Sequence, residues 1–156
     1  MNIQLNNKAI NFKLFNTERQ EVSLNDFIGK KLVLAFFPGA FTGVCTKELC
    51  TMRDMMSEFN SLNAQVVAIS VDSPFANKAF AIQNQLTFPI LSDYTRDVAK
   101  TYCGLHEDFA GLKGYTASKR AVFVLDQNQI VKYIWISEDP GKEPPYDEIR
   151  KVISEI

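Results

Sequence analysis

A chain of 156 residues, 46% hydrophobic and 22% charged, has room for one ordinary core and carries no bias toward disorder or a collagen-like fibre. Seventeen basic against eighteen acidic residues leave a formal net charge of -1, so no whole-chain field draws it to nucleic acid or anionic lipid, and a small ligand is expected. The longest mostly apolar stretch, Leu32 to Val44, is broken by Pro38 and Gly39 and falls short of the about 20 apolar residues that a membrane helix needs. The opening MNIQLNNKAINF has neither a basic start nor an apolar signal core, so a cytoplasmic location is expected. Three cysteines make a poor disulfide framework and, in a reducing cytosol, point to chemistry or packing.

Lys31 to Phe37 (KLVLAFF) follows the turn signal Gly29-Lys30 and is apolar almost throughout, the pattern of a strand buried on both faces. Cys45 to Phe59 predicts a helix, and Ala64 to Val71 a second buried strand. Pro74 to Asn84 predicts a helix opened by the cap Ser73 with proline in its first turn, and Tyr94 to Tyr102 another helix. Glu107 to Lys119, with Gly111 and Gly114 and no clear period, reads as an exposed excursion of the kind that edges a site. Ala121 to Leu125 and Ile130 to Ile136, separated by Asp126-Gln127-Asn128-Gln129, predict a hairpin. The charged, proline-rich Asp139 to Pro145 predicts a loop before a last helix near Pro145 to Ile153. No repeat, low-complexity tract or linker divides the chain, so residues 1–156 are expected to form one domain. Strands alternating with helices imply parallel crossovers, and the late hairpin adds an antiparallel pair, giving an α/β class with a mixed central sheet flanked by helices.

The stretch Phe36 to Asp54, FFPGAFTGVCTKELCTMRD, runs from a buried strand through Pro38-Gly39 into a helix whose first turn holds Cys45. The free N–H groups and partial positive charge of a helix N-terminus favour a thiolate over a thiol. Such a setting predicts a Cys45 pKa below the free-cysteine value of about 8.5. A thiol at the outlet of a strand also stands at the carboxyl end of the sheet, where α/β folds keep their ligands.

Pro38, Thr42 and Cys45 fit a P-x-x-x-T-x-x-C signature, Glu48 stands three residues beyond the cysteine, and Arg120 immediately precedes the strand AVFVLD. With these residues the chain resembles the peroxiredoxins, the AhpC/TSA family of thioredoxin-fold peroxidases. The resemblance runs from about the first strand to the last helix. It departs near the start, where Ala9-Ile10-Asn11-Phe12 stands in place of the family's Ala-Pro-Asp-Phe and leaves the N-terminal hairpin open. The resemblance implies a thioredoxin-like fold and assigns Cys45 as the peroxidatic thiol, which becomes a sulfenic acid, the first rung of thiolate oxidation. It gives Thr42 a hydroxyl hydrogen bond to the thiolate or peroxide, and Arg120 a permanent cation that stabilises the thiolate and the charge on the leaving oxygen. Pro38 would shape the loop and shield the sulfur, and Glu48 would orient Arg120. Further implications are a small peroxide substrate, no cofactor, a thioredoxin- or glutaredoxin-like protein reductant, and a monomer or a homodimer packed near the active-site loops.

Cys50 lies five residues after Cys45, about 7.5 Å of rise and roughly 140° of turn, which puts the two Cα atoms about 8 to 9 Å apart in an intact helix. A disulfide rarely tolerates more than about 7 Å, so a Cys45–Cys50 bond requires the helix to unwind. The spacing also resembles the bacterioferritin-comigratory-protein class, in which the resolving cysteine stands five positions on; packing among Leu49, Met52, Met56 and Phe59 is the other reading of Cys50. Cys103, beside Tyr102 and Gly104, reads as packing at a helix end and as a reserve resolving thiol. His106, the only histidine, has no recognisable partner and reads as a loop or helix-end residue. Arg53 reads as a solvated helix charge or as a second cation near the site, and the resemblance favours the second. Phe36, Phe37 and Phe41 can wall a pocket, although core packing explains the first two.

Two other functions compete. Cys45-x4-Cys50 with Cys103-x2-His106 supplies the ligand set of a structural zinc site, with the pairs more than fifty residues apart in sequence. A thioredoxin-type thiol–disulfide oxidoreductase shares the fold but would be expected to carry a Cys-x-x-Cys dithiol, which this chain lacks.

Overall fold

Apolar residues at every position of Leu32–Phe37 and Val66–Ile69 leave these segments no solvent face, and in the computed structural model, which describes residues 3–156, they form the centre of a seven-stranded sheet. The strands are β1 (Lys13–Phe15), β2 (Glu21–Ser23), β3 (Lys31–Phe36), β4 (Ala64–Ser70), β5 (Ile90–Ser92), β8 (Arg120–Leu125) and β9 (Val131–Ser137), in the order β2-β1-β5-β4-β3-β8-β9. The remaining two, β6 (Leu105–His106) and β7 (Ala117–Ser118), pair separately. β3, β4 and β5 run parallel, while β8 is antiparallel to β3 and β9 to β8. The mixed sheet expected from the element pattern is therefore present.

Helices α1 (Gly43–Asp54) and α2 (Met56–Ser61) connect β3 to β4, α3 (Pro74–Asn84) connects β4 to β5, α4 (Asp97–Tyr102) follows β5, and α5 (Tyr146–Glu155) ends the chain. Period-two alternation divides the core. Val33, Ala35, Val66, Ala68, Val122 and Val124 face Leu49, Phe59, Phe80, Ile149 and Ile153, which come from α1, α2, α3 and α5. Leu32, Leu34, Phe36, Val67, Ile69 and Phe123 face Tyr102 and the N-terminal Phe12, Leu14 and Leu24 on the opposite side.

Several boundaries differ from the sequence reading. The helix expected from Cys45 to Phe59 starts at Gly43 and breaks at Met55 into α1 and α2. The helix expected from Tyr94 starts at Asp97, after Arg96 in the left-handed region (φ 70°). The N-terminal hairpin, short β5 and the β6–β7 pair lay below the resolution of periodicity, since strands of two or three residues hold no period. The excursion Glu107 to Lys119 accordingly contains β7 and a short 3-10 turn. The cap expected at α3 is present: the Ser73 hydroxyl accepts from the Ala76 amide at 3.1 Å, and Pro74 opens the helix.

Candidate active site

Phe37 remains on the sheet through its amide, which donates to Ile69 at 3.0 Å, before buried Pro38 and Gly39 turn the chain away. The Ala40 amide then donates to the Asp72 carboxylate at 2.8 Å. Phe41 adopts φ 67°, an uncommon conformation for a residue with a side chain. Its ring packs edge-on against Phe80 with centroids 5.3 Å apart. Thr42 is extended (φ -80°, ψ 151°) and caps α1 through its carbonyl, which accepts from the Thr46 amide at 2.9 Å. Its hydroxyl donates to the Gly39 carbonyl at 2.7 Å. This loop delivers Cys45 to the first turn of α1 as a free thiol, 1% exposed.

Arg120 reaches the same place by strand register. Antiparallel pairing sets Ala121 opposite Phe36, so Arg120, the first residue of β8, projects at the end of β3 from which the Pro38 loop departs. Its parity is that of Val122 and Val124, on the α1 side of the sheet. Arg120 is 1% exposed and Glu48 is fully buried, and they form an ion pair of 2.7 Å through Nη1 and Oε1. Nη2 donates to the Pro140 carbonyl at 2.7 Å. Nε has no hydrogen-bond partner among the described residues.

The charges follow from burial. Loss of hydration opposes the Arg120 cation, but Glu48 and Cys45 outweigh it and hold the guanidinium protonated. Loss of hydration pushes the Glu48 carboxyl up to about 7, against the pull of Arg120. Burial also pushes the Cys45 thiol up, opposed first by the Arg120 charge and then by the Thr42 hydroxyl, the Gly39 amide and an Arg120 hydrogen bond. The net direction corrects the lowered pKa expected from sequence. The helix end and the cation are both in place, but a sulfur almost without solvent loses more hydration than they return.

Glu48 therefore makes stability depend on pH. Its carboxyl titrates near 4.5 when solvated and near 7 in the folded chain, so between those values the native state retains a proton that the unfolded state has released. Stability falls as pH rises through that window. Glu48→Gln removes this dependence while keeping an oxygen for Arg120. Relative to the wild type, the variant should gain on the order of 3 kcal/mol between pH 4.5 and 7.5, read from urea midpoints. A difference that does not vary with pH would exclude a titrating Glu48.

Comparison with known proteins places this geometry in a lineage. The sequence model of the AhpC/TSA family matches residues 5–134, a span that contains Pro38, Thr42, Cys45, Glu48, Cys50 and Arg120. The chain belongs to the AhpC/TSA family. This peroxiredoxin is 33% identical over 135 residues to a putative peroxiredoxin bcp from Coxiella burnetii, covering 86% of this chain and 89% of that protein. It is 35% identical over 142 residues to the mitochondrial thioredoxin-dependent peroxide reductase of Bos taurus, covering 86% of this chain and 53% of the relative. The chain thus spans about half the length of such reductases. The crystal structure of peroxidoxin BcpB from Mycobacterium tuberculosis superposes with a TM-score of 0.86 at 28% identity, over 99% of this chain and 98% of that one. The thioredoxin-like peroxiredoxin fold implied by the resemblance is the fold present, and relatives of the expected bacterioferritin-comigratory-protein type are among the matches.

Thr42, Cys45, Glu48 and Arg120 come together, with Pro38 buried in the loop that leads to them, and the other residues singled out by sequence lie elsewhere. Cys50, on the same helix as Cys45, is half-buried toward α3, with its thiol 3.6 Å from Asn84 Oδ1. Arg53 accompanies Cys50: Nη1 donates to the Asn84 carbonyl at the end of α3 at 2.7 Å, and Nε to its neighbour Asp54 on α1 at 3.0 Å, so its hydrogen bonds go to these two residues and not to Cys45. Cys103 packs at the end of α4, as expected from its place beside Tyr102 and Gly104, in the core on the other side of the sheet. Burial pushes its thiol up to about 12. That placement sets Cys103 apart from Cys45 in the folded chain, and among the described residues no group of three or more His, Cys, Asp or Glu side chains could hold the zinc of the competing reading. His106 is in β6, stacked on Phe109, with burial lowering its pKa. Phe36 and Phe37 are core residues on opposite faces, and Phe41 stands half exposed at the loop.

Two supports had no sequence signal. Asp72 anchors the cysteine loop from the end of β4. The Asp139 to Pro145 loop, legible only as a loop, supplies the Pro140 carbonyl to Arg120 and Glu143 to Lys47 at 3.2 Å.

Proposed function

We propose that this peroxiredoxin is a cofactor-free thiol peroxidase acting on hydrogen peroxide and organic hydroperoxides. The observation that carries the proposal is the buried Cys45, Arg120 and Glu48 group at the mouth of α1. Cys45 sulfur attacks one peroxide oxygen, the O–O bond breaks, and Cys45 becomes a sulfenic acid. The proton lost by the thiol leaves on the departing oxygen as water or alcohol, so the step is neutral overall. That balance suits a thiol raised by burial, because the thiolate need exist only as peroxide arrives. Arg120, which uses one Nη1 hydrogen on Glu48 and one Nη2 hydrogen on Pro140 and has Nε unpaired among the described residues, supplies fixed positive charge and further N–H donors for the sulfur and the reacting oxygens. The single Thr42 hydrogen serves Gly39 in the resting thiol and turns to sulfur or peroxide during attack. Pro38, buried beside them, excludes water.

Cys50 resolves the sulfenic acid: its sulfur attacks Cys45 sulfur, the S–O bond breaks, and water leaves. Because both cysteines lie on α1, the helix must unwind locally to bring the sulfurs together. A thioredoxin- or glutaredoxin-like dithiol then returns two electrons to the disulfide. The thioredoxin dependence named in the Bos taurus relative supports this choice of reductant. A cytoplasmic location suits three free cysteines, and the working unit is a monomer or a homodimer.

Anaerobic mass spectrometry after one equivalent of hydrogen peroxide tests the sequence of steps. Wild type should lose two hydrogens and yield a Cys45–Cys50 peptide pair, whereas Cys50→Ser should gain one oxygen on Cys45. A wild-type product containing only disulfides to an external thiol would remove Cys50 from the mechanism.

A further inference from the structure

Within α1 the two cysteines have different attachments. Cys45 faces Arg120, whereas Cys50 and Arg53, one helical turn apart, are both fastened to the last residue of α3. Asn84 Oδ1 accepts from the Cys50 thiol at 3.6 Å, and the Asn84 carbonyl accepts from Arg53 Nη1 at 2.7 Å. Asn84 Nδ2 donates to the Phe80 carbonyl at 3.1 Å, which fixes the amide's orientation so that its oxygen faces Cys50. The next residue, Gln85, turns left-handed (φ 55°) and ends α3. The guanidinium of Arg53 therefore sits on the negative end of the α3 dipole.

We infer that Asn84 is a latch: a positioning residue that holds Cys50 on α3 and whose release sets the rate at which the Cys45–Cys50 disulfide forms. The inference rests on Cys50 being the resolving thiol. Cys50 cannot approach Cys45 while its turn of α1 is helical, and the same movement must break its contact with Asn84. Until then the Cys45 sulfenic acid stays exposed to a second peroxide, which oxidises it to sulfinic acid and is itself reduced to water or alcohol. The latch thus divides Cys45 between disulfide and sulfinic acid.

The test is rapid-quench mass spectrometry of full-length wild type, Asn84→Ala and Asn84→Asp, following sulfenic acid, disulfide and sulfinic acid on Cys45 over a range of hydrogen peroxide concentrations. Asn84→Ala should form disulfide about three- to tenfold faster, the worth of one side-chain hydrogen bond, and its sulfinic fraction at high peroxide should fall by a similar factor. The second-order rate of sulfenic acid formation should not move. Asn84→Asp keeps the acceptor and should form disulfide no faster than wild type. Equal acceleration in both variants would mean general loosening of α3 and would overturn the latch, as would an unchanged or slower rate in Asn84→Ala. If wild type forms no Cys45–Cys50 disulfide at all, the resolving role of Cys50 fails and the latch with it.

Discussion

Cys45→Ser is expected to lower peroxide consumption by at least about 10³-fold, the scale on which removal of a reacting nucleophile acts. Oxygen replaces sulfur almost isosterically in a site that is 1% exposed, so the fold should survive. The hydroxyl can take up neither role of the thiol, since it does not ionise near neutral pH and does not accept an oxygen atom from peroxide. Thr42 and the Gly39 amide are close enough to act on the native sulfur and can pair with the new hydroxyl, which limits the burial penalty. Peroxide loss in the presence of excess dithiol, measured beside a thermal melt, separates chemistry from folding. A variant that consumes peroxide at the wild-type rate would refute the assignment of Cys45.

Arg120→Met should damage activity and stability together, by different routes. Methionine occupies much of the same volume without charge, so Cys45 loses the largest influence that opposes its burial and its thiol rises further. Removal of one preorganised donor to developing charge costs about 10² to 10³ in rate. Stability falls because the buried Glu48 carboxyl loses its 2.7 Å partner, and breaking one side of a buried pair costs about 3 to 5 kcal/mol when the remaining charge persists. Glu48 can escape part of this by holding its proton, since its carboxyl already stands at about 7 with Arg120 present and rises without it. The destabilisation should therefore be smaller below pH 7 and grow as pH rises above it, where the wild-type carboxyl has already titrated but the native variant still holds a proton that its unfolded chain has released. Arg120→Met combined with Glu48→Gln should recover most of the stability and none of the activity. Urea midpoints at two pH values, with peroxide turnover on the same samples, check both halves. Recovery of turnover in the double variant would show that Arg120 acts only through the fold.

The buried strands β3, β4 and β8, the capped helix α3, and the position of Cys45 in the first turn of a helix were legible in the residues alone. Those are local matters: runs of apolar residues, Ser73-Pro74, and the Pro38-Gly39 exit are read within a few positions of one another. Arg120 and Glu48 were legible as a pair only through the family resemblance, because 72 residues separate them and no periodicity links them. Tertiary structure decided the rest. The register of Phe36 on Ala121 carries Arg120 to the cysteine loop, while the packing of α1 and α4 on opposite faces of the sheet puts Cys45 in one core and Cys103 in the other. Tertiary structure also turned Arg53 toward Asn84 and away from Cys45. The sign of the Cys45 shift depended on it as well: a helix N-terminus and a cation can be inferred from sequence, but the depth of burial that outweighs them comes from long-range packing, and hydration is lost only when the whole chain has closed over the sulfur.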